Sequence, residues 1–430
     1  MLRIFSLLYC LSMVYGQISW TGHDIDNDFI GAVWVQAVDL DDDDDVDIVG
    51  AAQNGHEITW WENDGNENFT EHTIDGAYYG SHCVYVIDID DDDDQDIVSA
   101  AYIDDDVTWW ENDGSENFTE HTIDDNFNSV VTVHAVDLDT DNDIDVLAAA
   151  YEGDAIAWYE NNGSESFTKH VIDSTYAGAH FIFGVNMDDD NDIDIVSAAY
   201  SVSQITWWEN DGSENFTEHM VDNNFWGAHY AYGVDLDLDN DMDIIGAAYD
   251  ADDIAWWEND GNENFTEHTI TPYFDCPFSV HHGDIDDDGD IDVVGAALIA
   301  DDITWWENDG YMNFTPYTID GNFDAAAAVH VFDVDKDNDL DIVGGGLYGN
   351  RVTWWESDLM GIESYSPGPV DPEHTLPTII RKTADIMKFG NYDIYNITGR
   401  KISERELQPG VYFIIDQGSE RAVTKIIKIN

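Results

Sequence analysis

The sequence predicts an all-β chain: a closed seven-bladed β-propeller of 49-residue repeats, followed by a small C-terminal β-sandwich. Three observations predict it. A nine-residue acidic loop recurs seven times at an unvarying period of 49, beginning at Asp39, Asp88, Asp137, Asn186, Asp235, Asp284 and Asp333. Each repeat divides into four short apolar runs separated by turn residues, the pattern of a propeller blade. The last repeat lacks its fourth run, and the N-terminus carries a segment that matches it.

Residues 1–16 read as a secretory signal, with Arg3, an apolar stretch from Ile4 to Val14, and Val14-Tyr15-Gly16 ahead of a cleavage before Gln17. Tyr9 precedes Cys10 where a lipoprotein signal needs a small residue, which argues against lipidation. The propeller is assigned to 17–360. It opens with Trp20-Thr-Gly-His23-Asp-Ile25, which stands 49 residues before Phe69-Thr-Glu-His72-Thr-Ile74 and is expected to be the missing fourth strand of the last blade. A ring closed in this way has no free sheet edge.

Within a repeat, taking the second as the example, strand one is 83–87, the acidic loop follows, strand two is 97–102, strand three is 107–111, and an Asn112-Asp113-Gly114 turn leads to strand four at 118–123. In the acidic loop, carboxylates at positions 1, 3, 5 and 9 alternate around a tight turn, and position 7 offers its backbone carbonyl. That is an oxygen cage suited to calcium, which takes six to eight oxygen ligands, and less suited to magnesium. Position 6 is Asp44, Asp93, Asn142, Asn191, Asn240, Gly289 or Asn338, residues that tolerate a left-handed backbone. Up to seven ions are expected. Their candidate ligands are Asp39, Asp41, Asp43, Asp45 and Asp47; Asp88, Asp90, Asp92, Asp94 and Asp96; Asp137, Asp139, Asp141, Asp143 and Asp145; and Asn186, Asp188, Asp190, Asp192 and Asp194. The last three loops add Asp235, Asp237, Asp239, Asp241 and Asp243; Asp284, Asp286, Asp288, Asp290 and Asp292; and Asp333, Asp335, Asp337, Asp339 and Asp341. Asn186 removes one charge from the fourth loop.

Strand three carries adjacent aromatics, Trp60/Trp61 through Trp354/Trp355. Neighbours on a strand face opposite ways, so both are buried only if a blade is packed on both sides. Strand two is small, Gly50-Ala51-Ala52 or Gly344-Gly345-Gly346, which leaves room for the indoles.

The loops between strands two and three share a face with the links between blades, and they vary from Asn54-Gly-His-Glu57 to Tyr348-Gly-Asn-Arg351; the acidic loops lie on the other face. Variation on a repeated scaffold locates specificity on the first face. Two aromatic series are in phase: Phe29, Tyr78, Phe127, Tyr176, Phe225, Phe274 and Phe323 before each first strand, and Tyr102, Tyr151, Tyr200 and Tyr249 after strand two. They read either as sugar-stacking platforms, with the tyrosines as candidate ligand contacts, or as plugs between blades. His82, His180 and His229 share one phase near the channel, and His134, His281 and His330 another, either as structural imidazoles or as a metal-binding ring. No serine or cysteine nucleophile signature stands out. Arg351 is the first candidate if the propeller is instead a polysaccharide lyase or hydrolase, and no catalytic residue is assigned. A disulfide between Cys83 and Cys276, at non-equivalent positions, is not expected.

The 430 residues carry a formal charge of -80, yet 43% are apolar, so the chain can bury a core. From 17 to 360 the only basic residues are Lys169, Lys336 and Arg351, which excludes nucleic acid and anionic membranes as partners. No mature stretch is long and apolar enough to span a membrane. From 361 onward, nine basic residues balance nine acidic ones. Residues 361–377, with Ser366-Pro-Gly-Pro369, read as a linker, and 378–430 as the second domain.

The repeated Asp-x-Asp-x-Asp-(Gly/Asn)-x-x-Asp loop ahead of an Asp-Ile-Val-Gly-Ala strand resembles the FG-GAP/VCBS repeats of integrin alpha-chain propellers. The resemblance implies calcium at the loop positions named above and a role in adhesion or carbohydrate contact. Tyr392-Asp-Ile-Tyr395-Asn-Ile-Thr-Gly399, Leu407-Gln-Pro409-Gly410-Val-Tyr412 and the terminal Lys425-Ile-Ile-Lys428-Ile429 are similar to the type A sorting domain of the type IX secretion system. That implies a β-sandwich recognised by the secretion machinery, and passage through the periplasm to the medium or outer cell surface. The expected whole is a monomeric, exported, calcium-binding propeller acting as a binding or adhesion module for a glycan or a surface protein.

Overall fold

The structure is a computed structural model that describes residues 18–359 apart from Asp189, together with 392–396, 401–402, 410–416 and 425–429. Two compact units divide the chain, Met1–Ile362 and Glu363–Asn430. In the first unit, seven four-stranded antiparallel sheets follow one another, beginning with Ala32–Val38, Asp47–Ala52, Glu57–Asn63 and Phe69–Asp75. The first strand of each sheet packs on the first strand of the next, and that of the seventh sheet packs on that of the first, which closes the ring. No helix occurs among the described residues, and the all-β seven-bladed propeller stands as expected.

The seventh blade is composite. Its first three strands are Ala326–Phe332, Asp341–Gly346 and Arg351–Leu359, and Ile18–Asp26 pairs antiparallel with the last of these, His23 opposite Trp354. The clasp carries the chemistry of an ordinary fourth strand. In the first blade the Trp60 ring stacks on His72 at 4.8 Å, and His72 Nε2 meets Glu62 Oε2 at 2.8 Å. In the seventh, His23 stacks on Trp354 at 4.7 Å and meets Glu356 at 2.9 Å. The regular fourth-strand histidines therefore cap the first indole of each pair; only the sixth blade departs, with Tyr317 over Trp305.

Both members of each aromatic pair are buried, as a blade sandwiched between two others requires. The second indole lies over the small residue of strand two. At Gly344 a Cβ would stand 2.7 Å from the Trp355 ring, so nothing larger fits without displacing it. Where a serine occupies that place the indole N–H uses it: Trp110 Nε1 donates to Ser99 Oγ and Trp208 Nε1 to Ser197 Oγ, each at 2.8 Å. The aromatic ahead of each first strand meets the same indole edge-on, as Phe29 does Trp61 at 4.9 Å. That series is core, at most 5% exposed, so its role is to fill the gap between blades.

In the second unit, Lys401–Ile402, Tyr392–Asn396, Gly410–Asp416 and Lys425–Ile429 form one antiparallel sheet in that spatial order. A second layer of the expected sandwich, the 361–377 linker and the 1–16 signal lie outside the described residues. No helix among the described residues is long and apolar enough to cross a membrane.

Candidate functional site

Each acidic loop is a turn wound around its own carboxylates. Position 6 has positive φ in all seven copies, from 72° at Asp44 to 99° at Gly289. The position 6 N–H donates to the position 1 carboxylate, as Asp44 N does to Asp39 Oδ2 at 3.1 Å. Position 4 is also left-handed in the described copies, including Thr140, Leu238 and Lys336, side chains that gain nothing from it. That second turn was not legible in composition.

Position 9 has a structural task in every copy. Asp47 is fully buried, its Oδ2 accepting from Leu40 N at 3.0 Å and its Oδ1 from Asn63 N at 2.8 Å, so one carboxylate ties the loop to the third strand. Burial pushes its pKa up to about 7 even though both N–H groups pull it down, and the equivalent Asp292 and Asp341 rise to about 8. Position 7 turns its side chain toward the Asn-Asp-Gly turn, so a Cβ at Gly65, whose φ is 70°, would run into the Asp45 carboxylate.

These loops can hold a metal ion. Ligand oxygens of Asp39, Asp41 and Asp43 lie within 4.8 Å of one another, as do those of Asp88, Asp90 and Asp96, of Asp137, Asp139 and Asp145, and of Asp235, Asp237 and Asp239. One oxygen in each of five loops (on Asp39, Asp90, Asp137, Asp235 and Asp333) is buried without a hydrogen-bond partner. Orphaned carboxylate oxygens crowded together destabilise a fold unless a cation sits among them.

On the opposite face the loops between strands two and three prove partly structural. Their third residue is left-handed and its side chain accepts the N–H that opens the next blade: His56 Nδ1 from Gly80 at 3.0 Å, Asp105 from Ser129 at 2.6 Å, Asp154 from Gly178 at 2.9 Å. Ser203, Asp252 and Asp301 repeat the latch, and Asn350 Oδ1 completes the circle by accepting from Gly31 N at 3.0 Å. Short acceptor side chains at this phase were the available signal.

The seven copies diverge at the channel. Every first strand has a register shift that leaves one residue out of the ladder, between Ala32 and Trp34 in the first blade. Such a bulge re-aims its side chain. Around the ring the displaced residues are Val33, His82, Val131, His180, His229, Phe278 and Ala327. Ahead of them, at the ends of the second strands, stand Gln53, Tyr102, Tyr151, Tyr200, Tyr249, Leu298 and Leu347. The mouth is thus divided. Blades two to five present an arc of tyrosines over imidazoles, with Tyr151 and Tyr200 at 6.0 Å, Tyr200 and Tyr249 at 6.2 Å, and Tyr102 at 6.5 Å from His82. The other blades are largely apolar, with Gln53 the exception: Val33, Ala327 and Leu347 pack with Phe278 and Leu298. Below, Trp34 reaches across the axis to Phe181 at 6.4 Å and Tyr230 at 6.0 Å and plugs the bore. The four sequence-predicted tyrosines are therefore brought together and half-exposed, unlike the buried Phe29 series.

Arg351 does not join them. Its guanidinium sits over the Phe323 ring at 4.2 Å, donates to Asn322 O at 3.3 Å and faces Asp320 at 3.7 Å. Cys83 and Cys276 are both free and buried.

The FG-GAP-like repeat profile matches residues 39–99 and 235–295, each running from one acidic loop through the whole of the next repeat's loop and into the strand after it. The chain thus carries FG-GAP-like repeats in a seven-bladed propeller. No curated protein matches the sequence. Among solved structures, BBS1N in complex with ARL6DN is similar over 81% of this chain and 99% of that one, with 9% identity and a TM-score of 0.54, a likeness of fold. An Agrocybe aegerita lectin described as recognising non-reducing terminal N-acetylglucosamine aligns over 72% of this chain and 82% of its own, with 17% identity and a TM-score of 0.48.

Proposed function

We propose that this protein is an exported, calcium-stabilised propeller that binds carbohydrate at the divided mouth of its channel. The observation that carries the reading is the broken symmetry: a scaffold nearly identical in seven copies places Tyr102, Tyr151, Tyr200 and Tyr249 on one arc only. Sugar rings offer apolar C–H faces and a rim of hydroxyls. Tyrosine rings supply the stacking surface, and the surrounding carboxylates, such as Glu152 and Asp250, accept from hydroxyls. Exposed rings continue outward on the same face, Trp226 at 63% and Tyr348 at 64% exposure. A concave, aromatic and strongly acidic surface favours a neutral or hydroxyl-rich ligand over an anionic one.

Calcium is the cation we assign to the acidic loops. Their donors are all oxygen, their number matches a six- to eight-coordinate ion, and their orphaned oxygens converge. It would be held by the carboxylates of positions 1, 3 and 5, the position 7 carbonyl and the remaining lone pairs of position 9. Its task is structural, joining the two outer turns of a blade. Export through the signal at 1–16 and the sorting motif of 378–430, to the medium or the outer cell surface, rests on the sequence patterns and places the protein where calcium is abundant.

The test is a glycan array probed with the full chain in calcium and again in EDTA. Saturable, calcium-dependent binding that Tyr151→Ala and Tyr200→Ala each weaken at least tenfold is expected. A folded protein that binds no glycan in calcium overturns the carbohydrate assignment.

A further inference from the structure

We propose that His82, His180 and His229 form a transition-metal site in the channel mouth, taking one zinc ion or an ion of similar ligand preference. The site is distinct from the acidic loops and stands on imidazole geometry alone, independent of the carbohydrate reading.

The three residues occupy the same bulge in blades two, four and five, and all three are oriented in the same way. His82 Nδ1 lies 2.8 Å from Val131 O, His180 Nδ1 3.1 Å from His229 O, and His229 Nδ1 2.7 Å from Phe278 O. A carbonyl oxygen has no proton to give, so Nδ1 is the donor in each, and each ring is fixed as the tautomer whose Nε2 carries a lone pair. An N–H anchored on a backbone carbonyl with the opposite nitrogen unprotonated is the arrangement that orients metal-binding histidines. Burial also holds all three neutral, with His82 near pKa 4 and His229 near 3.

His180 lies between the other two rings, and both of its pair distances are near what a shared ion requires. His180 and His229 have centroids 3.7 Å apart, and His82 and His180 5.9 Å. With Zn–N near 2.0–2.1 Å, two imidazoles on a tetrahedral ion have centroids roughly 5 Å apart, so the observed pairs bracket the requirement and ring shifts of about an ångström satisfy it. The channel encloses a cavity of about 50 Å³ lined by all three. The tyrosine arc stands beside them, Tyr151 at 6.0 Å from His180 and Tyr249 at 5.8 Å from His229. Three neutral nitrogens suit zinc, cobalt or nickel and not calcium, and a chain of formal charge -80 draws any cation inward.

His281 shares that orientation, its Nδ1 3.2 Å from His282 O, but it stands with His282 and His330 as a separate group, and two other channel histidines are built differently. His134 Nδ1 accepts from Gly184 N, and His330 Nδ1 accepts from Ala37 N, both at 3.3 Å. Their proton must therefore be on Nε2. They serve the backbone, and they provide the control.

The experiment uses the full chain, stripped of transition metals and saturated with calcium so that the acidic loops are filled. Zinc is titrated by calorimetry, and cobalt is followed by its visible absorption. We expect one tight equivalent of zinc, weakened at least tenfold by His180→Gln and unchanged by His134→Gln. Zinc uptake equal in His180→Gln and wild type overturns the site, because it would come from other histidines, either the exposed histidine–glutamate pairs of the outer strands or the neighbouring His281, His282 and His330. If His180→Gln does not fold, cobalt on the wild type decides. Intense tetrahedral bands support the site; no uptake, or weak octahedral bands alone, overturns it.

Discussion

Asn350→Ala tests whether the ring is closed by its latch as well as by its clasp. Asn350 has a φ of 53° and its Oδ1 accepts from Gly31 N at 3.0 Å, joining the last blade to the first across the chain ends. Alanine leaves the Gly31 N–H without its acceptor, which costs about 1–3 kcal/mol for a partly buried group. It also places a Cβ-bearing residue with no compensating side-chain bond in a left-handed turn, which adds about 1 kcal/mol. The expected loss is about 2–4 kcal/mol in denaturant unfolding. Asn350→Gly forfeits the bond and escapes the strain, so it should be about 1 kcal/mol less damaging. Asp154→Ala breaks the same latch inside the chain and should cost a similar amount. Only the closing latch should raise amide exchange in the strand Ala32–Val38 and in Ile18–Asp26 together. An Asn350→Ala protein within about 0.5 kcal/mol of wild type, or an Asn350→Gly protein less stable than Asn350→Ala, refutes the reasoning.

Three further outcomes follow from the same geometry. Burial holds His134 near pKa 3, against about 6.5 in an unfolded chain. Its stabilisation is therefore full above pH 6.5 and is lost as pH falls toward 3, and His134→Phe should flatten the acid side of the stability profile by about one proton, about 1.4 kcal/mol per pH unit; an unchanged slope would contradict the assignment. Gly114→Ala forces a Cβ into the Asp94 carboxylate at a φ of 67° and should cost about 1–3 kcal/mol, whereas Gly76→Ala, whose nearest neighbour is 3.8 Å away, should be nearly neutral; equal melting of the two would be the contrary result. Chelation should lower the melting temperature sharply, since each site filled at a hundred times its Kd contributes about 2.7 kcal/mol; identical melting in EDTA and calcium would remove the case for calcium.

The ring was legible because its determinants are local and repeated. The left-handed turn at position 6 follows from seven residues of the Gly/Asn/Asp type, the small residue of strand two from the indole it must admit, and the clasp from His23 standing 49 residues before His72. What escaped was whatever depends on geometry between blades. A latch joining His56 to Gly80, or Asn350 to Gly31, links positions 24 or 319 residues apart, and the loops that carry it look merely variable. The bulge that aims His82 and His180 into the bore has no composition of its own. The two aromatic series were indistinguishable in sequence and separate only once Phe29 is seen at 2% exposure and Tyr151 half-exposed at the mouth.

Repetition and specificity make opposite demands on such a chain. Every feature shared by all seven copies, from the position 9 carboxylate to the latch, is occupied in holding a blade to itself or to its neighbour, and its side-chain atoms are largely spent on backbone partners. A ligand can select only what differs between blades. Among the described residues those differences gather where the first strands bulge and the second strands end: three imidazoles, Val131 and four phenols on one side of the axis, valine, alanine, phenylalanine, leucine and Gln53 on the other. Trp34 comes from the apolar side and closes the bore beneath them, so the mouth is a cup with a floor and two unlike walls. The position of that cup on the axis matters energetically. A side chain there is supported by bulged strands that seven interlocking blades hold in place, so a ligand meets rings already ordered, and little of the interaction is lost to fixing them.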